Sequence, residues 1–188
     1  MSSAITRYPV HLIDVMHLPA GTRVMLRPIL PQDMDLQRAF FRSLSPHSRY
    51  NRFMTRLNEL PQALAERFTR IDYTSHLALV ATILEGRREV MIGEARCVAD
   101  DHDRTTCELA IAVADAWQRC GIALALLQRL ESEAAELGYR RVVADTLVTN
   151  RAMLGLARQA RYALVASPDD KTLVHLEKGL RPATAIAA

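Results

Sequence analysis

The order of strand-like and helix-like segments in the second half of this chain restricts its fold more than any other feature. Three segments with strand-like alternation follow one another through polar turns, at residues 76–84, 89–99 and 107–117. A helical segment closed near Gly138 then leads to a further strand at 140–148. Strands joined by short turns pair antiparallel, whereas two strands joined through a helix pair in parallel. The pattern therefore predicts a mixed sheet.

The remaining segments extend this sheet and add helices to it. A strand is predicted at 22–29, with a hairpin partner in the preceding HLIDVMHLPAG, and YALVA and KTLVHLEKGL are predicted as a closing strand pair. Further helices are predicted at 30–44, 45–53, 60–71 and 150–160. We interpret residues 1–180 as one α/β domain, a mixed, twisted sheet with helices on both faces. Residues 1–21 are its N-terminal strand or arm, and 181–188 are expected to be a disordered tail.

Composition narrows the class of protein. With 188 residues, 49% of them hydrophobic and 24% charged, the chain is typical of a globular protein with a core. It has neither a signal peptide nor an apolar run long enough to span a membrane, so a cytoplasmic location without membrane contact is expected. Its three scattered cysteines, without a CxxC pair, favour a reducing compartment over a disulfide or zinc framework, and no metal is expected.

The basic residues are almost all arginine. Of the 24, only Lys171 and Lys178 are lysines, and five arginines lie between Arg38 and Arg56 without an intervening acid. Such a patch is typical either of a solvated helix face or of a surface that binds nucleic acid. Because aromatic residues make up only 5% of the chain, a stacking platform for single strands is not expected, and we favour the solvated face.

The helix within DAWQRCGIALALLQRLESEAAELGY (115–139) begins without a Ser, Thr, Asp or Asn to cap it. An uncapped N-terminus leaves backbone N–H groups unpaired and carries partial positive charge, as an anion site does. Gly121 allows close approach of a ligand, Ala123 is small, and Arg119 adds a cation that suits phosphate. The apolar stripe expected to face the core consists of Ile122, Leu126, Leu127, Leu130 and Leu137.

This segment resembles the GNAT superfamily of N-acetyltransferases. Gln118-x-x-Gly121-x-Ala123, between a strand and a helix, matches the Q/R-x-x-G-x-G/A motif of that superfamily, and the element order matches its fold. TRVMLRPILPQD, SLSPHSRYNRF and NRAMLGLAR look closest to the acetyltransferase domain of bacterial protein lysine acetyltransferases. The resemblance implies acetyl-CoA as co-substrate, with its pyrophosphate on the amides of Gln118, Arg119, Cys120, Gly121, Ile122 and Ala123.

Other site residues follow from the same resemblance. Backbone groups of Ile111 and Val113 are implied to meet the pantetheine arm, and one amide there to bind the oxyanion. Asn150 is implied to contact the cofactor, although it is equally suited to a plain helix N-cap. Many members carry a Tyr seven residues after this Asn, as the acid toward the departing thiolate, and Ala157 stands there in this chain.

Transfer of an acetyl group to an amine needs a base, and the best candidate is Glu108. Strand alternation places Glu108 on a face with three alanines, which leaves room for a substrate beside its carboxylate. Similar lysine acetyltransferase domains carry their base ten residues before the Gln, as here. Glu94 is the second candidate, but it shares a face with Arg96, so an ion pair is expected.

We therefore expect an acetyl-CoA-dependent N-acetyltransferase that acts by direct attack of a primary amine, either a protein lysine or a small molecule. The alternative is a non-catalytic acyl-CoA-binding regulatory module, because the Tyr is missing and the Arg119-Cys120 pair is unusual. A nucleic-acid partner is not favoured. The acceptor and the acyl chain preference do not follow from the sequence, and the oligomeric state stays open, with a homodimer as one possibility.

Overall fold

The computed structural model describes residues 8–19 and 21–181, which form an eight-stranded sheet with five α-helices. The strands are β1 (Asp14–His17), β2 (Arg23–Pro28), β3 (His76–Glu85), β4 (Arg88–Ala99), β5 (Thr106–Val113), β6 (Arg141–Leu147), β7 (Ala163–Ala166) and β8 (Leu173–Gly179). The helices are α1 (Met34–Ser43), α2 (Pro46–Phe53), α3 (Gln62–Thr69), α4 (Ile122–Glu136) and α5 (Arg151–Gln159). Short 3₁₀ turns cover Val10–Leu12, Pro31–Asp33 and Asp115–Trp117.

The sheet has the mixed topology that the element order predicts. Its strand order is β1-β2-β3-β4-β5-β6-β8-β7, and β5 with β6 is its one parallel pair among the described residues. The parallel pair is the one joined through α4, because a strand that returns through a helix comes back in the same direction. The predicted meander of β3, β4 and β5 and the predicted hairpin of β1 with β2 are both confirmed.

Helices cover both faces of this sheet, as expected for an α/β fold. On one face, α4 inserts Leu126, Leu127 and Leu130 into the main core, and α5 joins it through Ala157. Full burial of each leucine side chain stabilises the folded state by roughly 1.5–3 kcal/mol of free energy. On the opposite face, α1 packs Phe40 against β3 and β4. A smaller apolar cluster lies under α1 and α3 and contains Phe41, Leu60, Ala65 and Phe68.

Two predictions, one for the end of β5 and one for the buried stripe of α4, are wrong in detail. The strand predicted at 107–117 ends at Val113, because the chain makes one more bond, from Ala114 N to Ile92 O (2.8 Å), and then turns away. The turn is held by the Asp115 carboxylate, which accepts hydrogen bonds from Ser45, the N-cap of α2, and from Ser48 within α2. Leu137 does not join the buried stripe but is 40% exposed, because it lies beyond the last turn of α4 as its C-cap.

Other boundaries move by a few residues. The helix predicted at 30–44 begins with the 3₁₀ turn Pro31–Asp33 before α1 starts at Met34. Residues 182–188 of the expected tail, residues 1–7 of the N-terminal arm and Ala20 in the β1–β2 turn lie outside the described residues. Within the part of the chain that the structure describes, no helix has the length and hydropathy needed to cross a bilayer.

Candidate active site

The middle of the sheet opens where β5 and β6 diverge. β5 pairs with β4 as far as Val113, which lies opposite Gly93. On its other side it pairs with β6 only over the first three residues, as far as Glu108 opposite Val143. Among the described residues, no strand lies beside the second half of β5 on its β6 side, so its peptide groups there are available to a ligand.

The peptide groups of Ile111 and Val113 point into this gap. Peptide groups alternate in direction along a strand, and the N–H of Ala114 donates to Ile92 O in β4 at 2.8 Å. Ile111 and Val113, which are out of phase with Ala114, are therefore directed away from β4. The Val113 carbonyl accepts a hydrogen bond from Gln118 Nε2 at 3.1 Å. The two backbone positions expected to meet a ligand thus lie next to the first residue of the Gln118–Ala123 motif.

The N-terminus of α4 is uncapped, as the sequence predicts. Its N-cap residue is Gly121, in the left-handed region at φ +83°, and no side chain caps it. Ala125 N makes the first intrahelical bond, to Gly121 O, whereas the N–H groups of residues 119–124 have no acceptor among the described residues. By contrast, Ser45 caps α2 and Asn150 caps α5 with side-chain oxygens. The start of α4 thus combines free donors with the positive end of a helix dipole.

Space for a ligand lies above these donors. A Cβ atom placed on Gly121 would meet nothing within 4 Å. Arg119, Cys120 and Gly121 are all exposed, and Ala123 is half-buried. Arg119 also has a positive φ, of 62°, so the backbone of this loop is left-handed at two positions, Arg119 and Gly121. Free N–H groups around an open, exposed glycine suit an anion such as a pyrophosphate.

Glu108 is an exposed carboxylate without a partner. It lies on β5 opposite Val98 of β4, and it makes neither a hydrogen bond nor an ion pair with another described residue. Ala110 and Ala112 follow it on the same face and are only half-buried, so small side chains adjoin the carboxylate as expected. An accessible carboxylate of this kind is able to accept a proton.

Glu94 is the opposite case. Its side chain is buried, and the predicted ion pair is confirmed, with Arg96 Nη2 2.6 Å from Glu94 Oε2. Gln37 Nε2 donates to the same oxygen at 3.0 Å, and Arg52 Nη2 lies 3.5 Å from the other. Burial acts to raise the pKa of Glu94, but Arg96, Arg52 and these hydrogen bonds outweigh it and hold the pKa below its usual value. Glu94 is therefore a charged, fully engaged structural carboxylate.

Asn150 fulfils the N-cap role that the sequence allows. Its Oδ1 accepts from Met153 N at 3.1 Å, and its Nδ2 donates to Thr146 Oγ1 at 3.1 Å. The residue is 9% exposed, so one amide hydrogen faces a mostly closed environment. The cap role is compatible with a cofactor contact, which stays a prediction.

Tyr162 does not take the place of the acid that Ala157 lacks. Ala157 itself lies on the buried side of α5. Tyr162 is also buried, and its hydroxyl donates to Glu131 Oε1 at 2.7 Å, while Lys178 donates to the other oxygen of Glu131 at 2.5 Å. Burial, reinforced by the charge of Glu131, raises the pKa of Tyr162 far above its usual value. The Tyr162 hydroxyl therefore keeps its proton in the buried hydrogen bond to Glu131.

Sequence reasoning missed the residues that α1 and α2 bring to the site. Ser45 N and Oγ and Ser48 Oγ donate to the Asp115 carboxylate at 2.8–2.9 Å, which ties the start of α2 to the turn after β5. Gln37 and Arg52 reach Glu94 across 57 and 42 residues. The arginine-rich character of α2 was the only local signal, and it gave no indication of these partners.

The arginine patch is partly internal. Arg49 donates to the carbonyl oxygens of Leu44, Arg42 and Asn58, and Arg52 faces Glu94. Asp100 forms the predicted polar turn by accepting from the backbone N–H groups of His102 and Asp103. Among the described residues, no three His, Cys, Asp or Glu side chains are grouped to hold a metal ion. Two surface concavities, of about 640 and 540 Å³, lie elsewhere, beside α2 and beside Tyr8–His11.

Comparison with known proteins agrees with this geometry. Residues 37–161 match the acetyltransferase (GNAT) family. An acetyltransferase of Pseudomonas aeruginosa is 31% identical over 157 residues, which cover 84% of each chain. The acetyltransferase Pat of Mycolicibacterium smegmatis is 31% identical over 81% of this chain, which spans only 43% of that protein.

Solved structures show the same fold. The GNAT domain of S. lividans PAT superposes with a TM-score of 0.84 at 29% identity, over 93% of this chain and 100% of that one. The cAMP-binding acyltransferase from Mycobacterium smegmatis gives a TM-score of 0.62 at 26% identity, and this chain covers 51% of it. On the matched residues, the relatives and the sheet topology, the chain belongs to the acetyltransferase (GNAT) family.

Proposed function

We propose that this protein transfers an acetyl group from acetyl-CoA to a primary amine, with Glu108 as the general base. The observation that carries the proposal is the position of Glu108. It is an exposed, unpaired carboxylate at the point where β5 and β6 diverge, and the uncapped start of α4 follows the other end of the same strand. The site thus places a proton acceptor near an anion-binding group of free N–H donors at the start of α4, residues 119–123, which we call the anion cradle.

The residues for acetyl-CoA are those of the gap and of the helix start. The free N–H groups of Arg119, Cys120, Gly121, Ile122 and Ala123 would hold the pyrophosphate, with the Arg119 guanidinium beside it and Gln118 fixing the loop. Peptide groups of Ile111 and Val113 would bind the pantetheine arm, and Asn150 would contact the cofactor from the start of α5. Bound acetyl-CoA supplies the activated acetyl thioester.

Groups of this chain then remove the first proton from the acceptor and stabilise the charge that develops on the acetyl oxygen. Glu108, directly or through water, takes a proton from the acceptor ammonium, which frees the nitrogen lone pair. A peptide N–H of Ile111 or Val113 donates to the acetyl carbonyl oxygen as negative charge develops there. The C–N bond forms as the C–S bond breaks, and the nitrogen, which still carries one proton more than an amide does, releases that proton to water. Because Ala157 cannot supply a proton and the Tyr162 hydroxyl is bound to Glu131, solvent is the proton source that we assign to the thiolate.

Two acceptor classes remain, a protein lysine and a small-molecule amine. The protein lysine is favoured by the likeness to the GNAT domain of S. lividans PAT and to Pat of M. smegmatis. The second candidate function, a non-catalytic acyl-CoA-binding module, is favoured by one observation, the absence of an acid at Ala157. The two functions share the cradle and differ in turnover.

The test is release of free thiol from acetyl-CoA in the presence of a panel of lysine peptides and small amines. We expect release with at least one acceptor, and mass spectrometry should find one added acetyl group on its amine. CoA binding, followed by thermal unfolding, serves as the reference in the same samples. Binding without release for every acceptor would support the module, and absence of both would reject the family's co-substrate for this chain.

A further inference from the structure

Two glutamates with contrasting surroundings project from the same face of the sheet. Glu94 lies on β4 opposite Ala112, and Glu108 lies on β5 opposite Val98. Arg96, opposite Ala110, stands between them and is the diagonal neighbour of Glu108. Arg96 is thus a sheet neighbour of both glutamates, and α2, which carries Arg52, packs against β5, yet only Glu94 is bound by the two arginines.

The cluster around Glu94 holds more positive than negative charge. Arg52 and Arg96, whose side chains are 10% and 4% exposed, share one buried carboxylate. The Nε atoms of both arginines and Oε1 of Gln37 are buried without a hydrogen-bond partner. A buried guanidinium with unused donors is strongly attracted to any further carboxylate in reach. Burial lowers the pKa of Arg52, and the negative charges of Glu94 and, less strongly, Glu108 act against that lowering.

The two arginines are not held equally well. Arg96 also donates to Phe68 O at 3.3 Å and to His76 Nε2 at 3.0 Å, and it stacks 3.9 Å from the centre of the Phe68 ring. Arg52 has Glu94, at 3.5 Å, as its one hydrogen-bond acceptor among the described residues, together with ring contacts to Phe53 and Phe68. Arg52 is therefore the guanidinium that Glu94 alone restrains.

We propose that Glu94 is a positioning residue: it captures Arg52 and so keeps the neighbouring Glu108 carboxylate unpaired and able to accept a proton. The proposal rests on the role of Glu108 as the base. Without Glu94, Arg52 turns to Glu108 and forms an ion pair, which makes that carboxylate a weaker proton acceptor.

The other charged groups on this face have partners of their own. Arg141 of β6 pairs with Asp103 and with Glu177 of β8, and Asp145 of β6 pairs with His175 of β8. His76 of β3 is kept neutral by burial and by Arg96, which lower its pKa to about 4. Among the described groups on β3, β4, β6, β8 and α2, Arg52 is thus the cation that the loss of one carboxylate would release.

The experiment compares the titration of Glu108 in three ligand-free proteins by carboxyl ¹³C NMR: unmutated, Glu94→Gln, and Glu94→Gln with Arg52→Gln. We expect Glu94→Gln to move the midpoint of the Glu108 titration down by about 1 to 3 pH units, the effect of an adjacent cation. The double variant should return the midpoint to within about half a unit of the unmutated protein. The rising limb of the pH–rate profile should move with it.

Asp33→Asn is the matched control, because it breaks a buried arginine–carboxylate pair, Arg27 with Asp33 at 2.6 Å, away from the base. It should lower the melting temperature and leave the Glu108 titration unchanged. If Glu94→Gln does not fold, Glu94→Asp takes its place, since the shorter side chain withdraws the carboxylate from Arg52 and should move the Glu108 midpoint in the same downward direction by a smaller amount. An unmoved midpoint in the folded single variant overturns the proposal, and so does a lowered midpoint that the added Arg52→Gln does not restore.

The result is separable from a failure of the proposed function. The NMR titration needs neither acetyl-CoA nor an acceptor. If the Glu108 midpoint shifts in Glu94→Gln but the unmutated protein releases no thiol, the positioning role of Glu94 is supported and the transferase is rejected. Thiol release together with an unmoved Glu108 midpoint in Glu94→Gln would support the transferase and reject the positioning role of Glu94.

Discussion

Gln118 Nε2 lies 3.1 Å from the carbonyl oxygen of Val113, so one side chain joins the end of β5 to the loop that begins α4. The same amide is 3.4 Å from Ser48 Oγ, and Ser48 in turn donates to Asp115 at 2.8 Å. The strand edge, the helix start and α2 are therefore linked by short contacts around one loop. Such a link fixes the distance between the anion cradle and the base, which catalysis by proximity requires.

The anion cradle predicts that Gly121→Val abolishes stabilisation by CoA. The valine side chain enters the open space above the free N–H groups, where a phosphate would lie. For the unmutated protein we expect about 2.7 kcal/mol of stabilisation at a hundred times the dissociation constant. Thermal unfolding with and without CoA measures both.

Gly138→Val is the control for that variant. Gly138 follows the other end of α4, has φ +96°, and likewise has nothing within 4 Å of an added Cβ. Either substitution forces a side chain into left-handed backbone at a cost of roughly 1–3 kcal/mol. Gly138→Val should therefore melt at a similarly lowered temperature and keep its full response to CoA. Equal responses in the two variants would place the phosphates elsewhere.

The unpaired state of Glu108 predicts that Glu108→Gln separates binding from turnover. Glutamine keeps the size of the side chain but accepts no proton at neutral pH, so turnover should fall by roughly a hundredfold to ten-thousandfold. CoA stabilisation should survive, because the cradle lies beyond the far end of β5. The pH–rate profile should also lose its rising limb. Glu85→Gln, on an exposed carboxylate of the β3–β4 hairpin, should leave both quantities unchanged.

The buried hydrogen bond of Tyr162 predicts a loss of stability without a loss of chemistry. Tyr162→Phe removes the donor to Glu131, and an under-satisfied buried carboxylate costs about 1–3 kcal/mol. Denaturant unfolding should show that loss, while kcat at a temperature where the variant is folded should stay within about twofold, since twofold is under 0.5 kcal/mol. A large fall in kcat with unchanged stability would instead identify Tyr162 as the missing acid.

The neutral state of His76 predicts a pH-dependent stability. Burial first, then the charge of Arg96, lowers its pKa to about 4, whereas an unfolded histidine titrates near 6.5. Between these values the unfolded chain binds more protons than the folded one, so stability is full above about pH 6.5 and decreases as the pH falls toward 4. The loss from this one group should reach about 3 kcal/mol.

His76→Gln should remove that part of the slope, because glutamine accepts from Arg96 but does not titrate. Urea unfolding at several pH values between 4 and 7 measures the slope for both proteins. His17→Gln, at an exposed histidine in β1, is the matched control and should retain it. A slope that His76→Gln leaves intact would assign the pH dependence to other groups.

The sequence by itself determined the element order, the mixed sheet and the uncapped start of α4. These follow from short-range causes: alternation over a few residues, the missing cap before Ile122, and the freedom of Gly121 at φ +83°. Alternation also placed Glu108 and Glu94 on strand faces correctly. The end of β5 at Val113 was missed, because apolar residues continue to Trp117 and only the contact of Asp115 with α2 turns the chain.

Only the tertiary structure decided how completely Glu94 is occupied. Alternation already separated the two glutamates, because Glu94 shares a strand face with Arg96 whereas Glu108 shares one with alanines, but it gave no sign of partners from the helices. Glu94 is occupied because Arg52 and Gln37 arrive from helices 42 and 57 residues away, when α1 and α2 pack on that face of the sheet. The gap between β5 and β6 was also decided by tertiary structure. The point where two paired strands separate depends on how the helices pack around them, and no local sequence pattern predicts it.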